Sequence, residues 1–557
     1  MTRPPLAEDL VAAALEAGVR RATTELGWGE AAAMPVEVER PANPDHGDYA
    51  TNVALKLARP LRRPPREIAE AIRERVATDG AVAEVEVAGA GFVNVRLRAS
   101  WLASQVDAIV EAGAEYGRSA SLAGRRIQVE YVSANPTGPL TIANARGGPL
   151  GDVLANVLAF AGADVTREYY VDELGTQVEM LGRSVALRYR ELGGEKVTIA
   201  EDAYPGEYVV EIARWIRDAD GGRYDGASLE EQARAFTPDA VAWILEDQKR
   251  TVAKLRINFD EWFRDRSLLD SGYFAETVEE LRRAGHIEDR DGAVWLRSRE
   301  LGEDIDSVVI RSNGEPTYFG MDIAYHRKCL VDRGFDMKID IWGANTHGHM
   351  RRMRTAMAAL GLDETRWEVL LYQYVRLVRE GVLMKMGKRL GQVVWLEDVL
   401  DAVGADAARF FLLQRGADST LDFDLELAVA QSNENPVYYV QYAHARIASI
   451  FRTAAGRGLD QSGADVALLV APGELELVRV CLRFPELVRE VQGHRSVHLL
   501  TGYALELAGM FHGFYRDHRV VSDDVPLSKA RLRLVAAVQL VLRQALGVLG
   551  ITAPESM

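Results

Sequence analysis

Apolar side chains recur three and four residues apart over 6–26, the spacing of an amphipathic helix. A second helix is expected over 49–58. A third opens at Pro64-Pro65, where proline suits a first turn. Alternation takes over at 85–87 and 92–97, and the Gly89-Ala90-Gly91 turn between them predicts a hairpin. Residues 1–118 therefore read as a small α+β unit.

Beyond Tyr116-Gly117 the pattern changes. RIQVEYVS at 126–133 reads as a strand. Asn135-Pro136-Thr137-Gly138-Pro139 reads as a turn, because two prolines and a glycine continue neither helix nor strand. Leu150, Val153, Leu154, Val157 and Leu158 repeat at helical spacing, and 165–170 is another strand. Strand, turn, helix, strand is a βαβ unit, which predicts a parallel α/β sheet. A mostly charged helical stretch follows, an insertion expected to run from about 178 to 290, before short buried strands resume at 308–310, 339–342 and 369–371. From 427 to 557 the pattern is helical nearly throughout, with Leu475, Leu477, Val478, Val480 and Leu482 suited to packed amphipathic helices. The domains expected are 1–118, 119–426 and 427–557.

Composition adds exclusions. With 557 residues, 48% hydrophobic and 27% charged, the chain has the balance of a globular protein with a large core. A net charge of -16 argues against coating nucleic acid by bulk charge. Residues 427–557 hold 13 Lys and Arg against 12 Asp and Glu, so the C-terminal part is the more plausible surface for a polyanion. Cys329 and Cys481 lie far apart and read as reduced core thiols. No apolar run reaches 18 residues and no signal peptide is visible, so no membrane association and a cytoplasmic location are expected.

Three places carry candidate chemistry. The turn after the 126–133 strand precedes a helix whose first N–H groups suit a phosphate. Glu130, Ser133 and Asn135 are polar there, where a purely structural strand prefers Val or Ile. Asn135 equally suits shaping the turn. Tyr318 and Asp322 share one helix face, and a carboxylate beside a phenol suits a guanidinium, whose planar fork of donors binds Asp in two parallel bonds; an ordinary surface pair has the same spacing. Lys385-Met386-Gly387-Lys388-Arg389, followed by Gly391, suggests a loop that closes over phosphates, although a solvated basic loop has the same composition.

Their order gives them meaning. VEYVSANPTGPL at 129–140, REYYVDELGTQ at 167–177, YFGMDIAYH at 318–326, DIWGANTHGH at 340–349, KMGKRLG at 385–391, GADAARFFLL at 404–413 and NENPVYYVQYAHAR at 433–446 resemble the arginyl-tRNA synthetase family, in family order. HGDYATNVALKLA at 46–58 and GFVNVRL at 91–97 resemble that family's N-terminal domain, and the closing AGMFHGFYRDHRV and GITAPESM its end. The resemblance implies an N-terminal α+β domain that touches tRNA, a Rossmann-type parallel-sheet catalytic domain with a helical insertion, and a C-terminal helical bundle that reads the anticodon. It implies an arginine–tRNA ligase using ATP and Mg²⁺, with L-arginine and tRNA(Arg) as partners and a monomer as the working form. Glu130, Ser133, Asn135, Tyr318 and Asp322 would hold arginine. Thr141, Ala143, Asn144, Gly343, His347, Met386 and Gly387 would line the ATP site, and Lys385 and Lys388 would be catalytic. A resident metal ligand set is not expected.

The chain departs from the family where ATP binds. The family's His-x-Gly-His signature is Thr141-Ile142-Ala143-Asn144 here, Lys-Met-Ser-Lys is Lys-Met-Gly-Lys, and Trp-Gly-Ala-Asp-His-His is Trp342-Gly343-Ala344-Asn345-Thr346-His347. Losing one charge-assisted contact costs roughly 1.5–3 kcal/mol. Thr and Asn remain neutral donors and good N-caps. Two expectations follow: a compensated ATP site in a working ligase, or a tRNA-binding relative without catalysis. Pro149 should kink the following helix or restart it from its first turn.

Overall fold

A computed structural model describes residues 6–29, 34–199, 203–384 and 394–557. The chain opens with helix α1 (Ala7–Leu26), the short strand β1 (Tyr49–Thr51), helices α2 (Val53–Leu61) and α3 (Pro65–Arg73), the hairpin β2 (Val82–Ala88) and β3 (Phe92–Leu97), and helix α4 (Ala99–Ala112). The stretch expected to be one helix over 49–58 divides. Tyr49–Thr51 pairs antiparallel with β3, because ladder bonds and full burial of Tyr49 and Thr51 outweigh helical propensity, and the helix starts only at Val53.

The central sheet has the order β11-β10-β4-β5-β6, all parallel. Its strands are β4 (Arg126–Glu130), β5 (Asp164–Val171), β6 (Glu261–Arg264), β10 (Met337–Gly343) and β11 (Trp367–Tyr372). Helices α5 (Ile142–Ala145) and α6 (Gly147–Phe160) connect β4 to β5; Pro149 lies in the first turn of α6, so the helix restarts there. Helices α7 (Thr176–Leu192), α8 (Glu207–Asp220) and α9 (Leu229–Lys254) form the insertion around a small core of their own. The insertion ends sooner than expected: β6 rejoins the parallel sheet at 261, and a separate antiparallel sheet, β7 (Ile287–Arg290), β8 (Ala293–Leu296) and β9 (Ser307–Ile310), follows helices α10 (Arg266–Asp270) and α11 (Tyr273–Arg283). These strands are four residues each, too short for periodicity to separate from their helical surroundings.

Alternation along β4 and β10 gives the sheet two unlike faces. Ile127, Val129, Ile339 and Ile341 pack with α6 in one apolar core. Gln128, Glu130, Lys338 and Asp340 point the other way, also buried, toward helix α12 (Tyr318–Arg327). Gly151 lets α6 lie close to β4: a Cβ there would stand 2.3 Å from the Tyr131 ring. Past helix α13 (His347–Ala359), the chain builds a three-stranded sheet from β12 (Val375–Arg379), β13 (Val382–Leu383) and β14 (Leu421–Asp424), the last reached through helix α14 (Leu396–Leu413). Helices α15 (Leu425–Val429), α16 (Pro436–Ala455), α17 (Pro472–His494), α18 (Leu499–Asp517) and α19 (Val525–Val548) complete the molecule, as the pattern predicts.

Candidate active site

From β4 the chain steps to β5 and β6 on one side, and later fills β10 and β11 on the other. The strand order reverses between β4 and β10, and ligands of open α/β sheets bind outside the strand ends at such a point. Glu130 ends β4 there, 5% exposed. Lys338 Nζ donates to Glu130 Oε2 at 2.9 Å and also bonds Asp340, whose other oxygen accepts from Trp367 Nε1 at 2.7 Å and pairs with His326 Nε2 at 3.1 Å. One ammonium thus lies between two buried carboxylates. Asp340 is held well below the ordinary carboxylate range by Lys338 and His326, against the effect of burial. Glu130 is pushed up to about 8 by burial, with Lys338 opposing and Asp340 adding to the rise.

Val132 and Ser133 follow with φ of 70° and 39°. Two successive left-handed residues, one of them β-branched, are costly and turn the chain sharply. The turn brings Ser133 Oγ to accept from Tyr170 N at 3.1 Å and to bond the Glu130 carboxyl. The Asn-Pro-Thr-Gly turn beyond is braced from the insertion. Gln248 Nε2 donates to the carbonyls of Asn135 (3.2 Å) and Gly138 (3.0 Å), Tyr169 donates to Gln248 Oε1 at 2.8 Å, and Tyr208 donates to Thr137 O at 2.9 Å. Asn135 itself is exposed and donates to Gln177 Oε1 at 2.9 Å, so it turns toward α7.

Tyr318 and Asp322 lie on one face of α12, capped by Thr317, whose hydroxyl accepts from Gly320 N at 3.1 Å. Tyr318 is 52% exposed and Asp322 is 3% exposed. The Asp322 charge holds the Tyr318 phenol well above its ordinary range, and Glu130 contributes in the same direction. Glu130, Ser133, Tyr318 and Asp322 therefore lie in one neighbourhood. His349, which the sequence pattern does not single out, sits against Tyr318 (5.3 Å between centroids) and Trp342 (5.5 Å), and its Nε2 meets Asp322 Oδ2 at 2.5 Å. The carboxylate has one oxygen engaged by imidazole before any ligand arrives. No spacing rule links residues 27 apart, so pattern alone has no means of finding this pair.

Thr141 and Asn144 are spent on each other: the Thr141 hydroxyl donates to Asn144 Oδ1 at 2.7 Å and the Thr141 N–H to the same oxygen at 3.2 Å. Ala143 is exposed beside them. Leu140 and Ile142 exchange backbone bonds with Leu396 and Val394 (2.8 and 3.3 Å), so this segment is tied to the chain leaving the lysine-rich stretch. Lys385, Met386, Gly387 and Lys388 lie outside the described residues. Gly343 closes β10, and His347, exposed, starts α13. A wide cleft of about 1180 Å³ lies elsewhere, between the N-terminal unit and α17, where Glu486 accepts from Arg40 (2.8 Å) and Tyr49; it is lined by both signs of charge and holds none of these residues.

Among known proteins, three family models match the chain: the arginyl tRNA synthetase N-terminal domain over 9–97, the catalytic domain of class I (R) tRNA synthetases over 225–448, and the DALR anticodon binding domain over 440–557. The arginine–tRNA ligase of Carboxydothermus hydrogenoformans is 44% identical over 97% of each chain, and that of Desulforudis audaxviator 45% over 98% of each. The fold is that of the Thermus thermophilus arginyl-tRNA synthetase (TM-score 0.76, 24% identity, covering 98% of this chain and 100% of that one) and of the Plasmodium falciparum enzyme (TM-score 0.77, 15% identity, covering both chains fully).

Proposed function

Because this chain belongs to the arginyl-tRNA synthetase family of class I, we infer that it joins L-arginine to tRNA(Arg), converting ATP to AMP and diphosphate. Identity of 44–45% with arginine–tRNA ligases over nearly the whole chain carries this reading. The alternative, a tRNA-binding relative without catalysis, finds no support in such relatives. The catalytic sheet, the N-terminal unit and the helical bundle are all present in one chain, which supports the division at 1–118, 119–426 and 427–557 and anticodon reading by the last. Cytoplasm is the proposed location and a monomer the proposed working form. No described helix is long and apolar enough to cross a membrane.

In the proposed reaction the arginine carboxylate attacks the α-phosphorus of ATP, the bond to diphosphate breaks, and a terminal ribose hydroxyl of the tRNA then displaces AMP from the arginyl carbonyl. Glu130 suits the substrate's α-ammonium. Tyr318 and the open oxygen of Asp322 suit its guanidinium. Asn144 Nδ2 and, on turning from Asn144, the Thr141 hydroxyl are the neutral donors toward phosphate, and Lys385 and Lys388 would balance charge on the departing diphosphate. A resident Mg²⁺ does not fit the described residues: no three His, Cys, Asp or Glu side chains gather to hold one, and Thr141-Asn144 brings no carboxylate. Mg²⁺ is proposed to enter on the nucleotide, and no step is assigned to it.

Charging of purified tRNA with labelled arginine tests the reading. Accumulation of arginyl-tRNA dependent on ATP is expected; its absence, with folded protein and intact tRNA, overturns it. Thr141→His with Asn144→His tests the variant signature, because a coherent neutral site loses activity when imidazoles are restored.

A further inference from the structure

Strand β5 and helix α12 face each other with matched polar stripes. Glu168, Tyr170 and Asp172 alternate along one face of the strand and its first residue beyond; Tyr318, Asp322 and Tyr325 line the helix. Tyr325 donates to Glu168 Oε1 at 2.6 Å and packs on the Tyr170 ring at 4.6 Å between centroids. One turn back, Asp322 lies opposite Asp172: burial and the Asp322 charge push Asp172 up to about 6. Asp265, itself pushed up to about 8 by burial and by Asp172, bonds the Asp172 carboxyl and accepts from Glu173 N at 3.2 Å.

Asp172 thus has Asp322 as one carboxyl neighbour and Asp265 as another; His349 meets one oxygen of Asp322, and the nearby cations are committed elsewhere. Arg264 is bound to Glu173, Arg333 to Glu168 and Glu261, and Lys338 to Glu130 and Asp340. Independently, the Tyr170 side chain is buried, its hydroxyl has no hydrogen-bond partner among the described residues, and it lies in the field of Asp322, Asp265, Tyr318 and Asp172. A purely structural ring at this place would be Phe, since buried phenols find partners. One planar cation with several donors answers both observations.

We propose that Tyr170 and Asp172 form the second wall of the guanidinium subsite, facing Asp322, and that this second carboxylate sets selection for a charged side chain over its neutral isostere citrulline. The inference rests on the arginine-charging reading. A guanidinium has five donors in a rigid fork, enough to serve two carboxylates and a phenol oxygen; citrulline replaces that cation with a neutral urea and leaves the paired charges unanswered.

Steady-state charging of tRNA by the full chain, with competition by citrulline, tests this. Tyr170→Phe is expected to raise the KM for arginine about 3- to 10-fold and Asp172→Asn about 10- to 100-fold, with the KM for ATP and for tRNA unchanged. Asp172→Asn should also narrow the preference for arginine over citrulline by about tenfold or more. Wild-type arginine KM and citrulline rejection in both variants would overturn the proposal while leaving the charging reading intact. Failure of the wild type to charge arginine would instead defeat the reading beneath it. Should Asp172→Asn fail to fold, Tyr170→Phe decides alone, because it removes a hydroxyl that has no partner to orphan.

Discussion

Thr141 and Asn144 satisfy one another at the end of the turn where nucleotide chemistry is proposed, which separates folding from binding at that position. Asn144→Asp keeps the shared acceptor while adding negative charge. The melting temperature should change little, and the KM for ATP should rise about tenfold or more, measured in the charging assay. Asp265 offers a pH test. Its folded value is raised to about 8 from an ordinary carboxyl value by burial and by Asp172. The native state therefore binds a proton that the unfolded chain releases above about pH 4, so the group's contribution to stability falls across the interval up to about pH 8 and stays low above it. Asp265→Asn should flatten the decline of melting temperature between about pH 6 and 8.5; an unchanged slope by calorimetry would count against a protonated Asp265. Glu130, Tyr318 and Asp322 are legible in the sequence because a polar residue ending an apolar strand, and a phenol four residues from a carboxylate, carry chemical meaning locally. His349 and Tyr170 are not. His349 acquires its role through a contact across helices, and Tyr170 resembles any aromatic strand residue until its hydroxyl is found without a partner.

At the scale of elements, the insertion does more than extend the molecule. Gln248 on α9 joins the Tyr169 hydroxyl and two turn carbonyls, and it is fully buried. Gln248→Leu leaves the Gly138 carbonyl without its donor, while the Tyr169 hydroxyl keeps Ala134 and the Asn135 carbonyl keeps Thr137 N, so the cost is that of one orphaned acceptor, about 1–3 kcal/mol. Urea unfolding should show that loss, and kcat should fall while the KM for tRNA holds, because the braced turn carries the contacts proposed for arginine and nucleotide. Helices of this unit are visible from their charged amphipathic pattern. Its end at β6 is not, since Glu261-Trp262-Phe263-Arg264 is too short to show a period and becomes a strand only by pairing with β5. Tyr49–Thr51 is the same lesson on a smaller scale: a three-residue strand exists because β3 offers it a ladder.

Across the whole molecule, the C-terminal stretch ties the bundle to the catalytic sheet. Arg409, fully buried on α14, donates to Leu549 O at 2.8 Å and Leu255 O at 2.9 Å and pairs with Asp152 of α6. Asp406 accepts from Arg256 at 2.5 Å, Gln441 at 2.9 Å and Thr552 N at 3.0 Å. Arg409→Met strands Asp152 with only the more distant Arg167 at 3.6 Å, and removing one partner of a buried pair should cost about 3–5 kcal/mol. A denaturant midpoint within error of wild type would refute that tie. The three-domain order is readable from pattern, but these fastenings join residues far apart in the chain and leave no periodic trace.

The same fastenings set a timetable for synthesis. Leu549 and Thr552 are translated after every strand of the central sheet, yet they supply the carbonyl that receives Arg409 and the amide that reaches Asp406. A nascent chain can assemble its sheet while still on the ribosome and join α6, α9 and α14 through Arg409, Asp152 and Leu255, but the bonds that Leu549 and Thr552 add to that joint wait until residues 549–552 emerge from the exit tunnel.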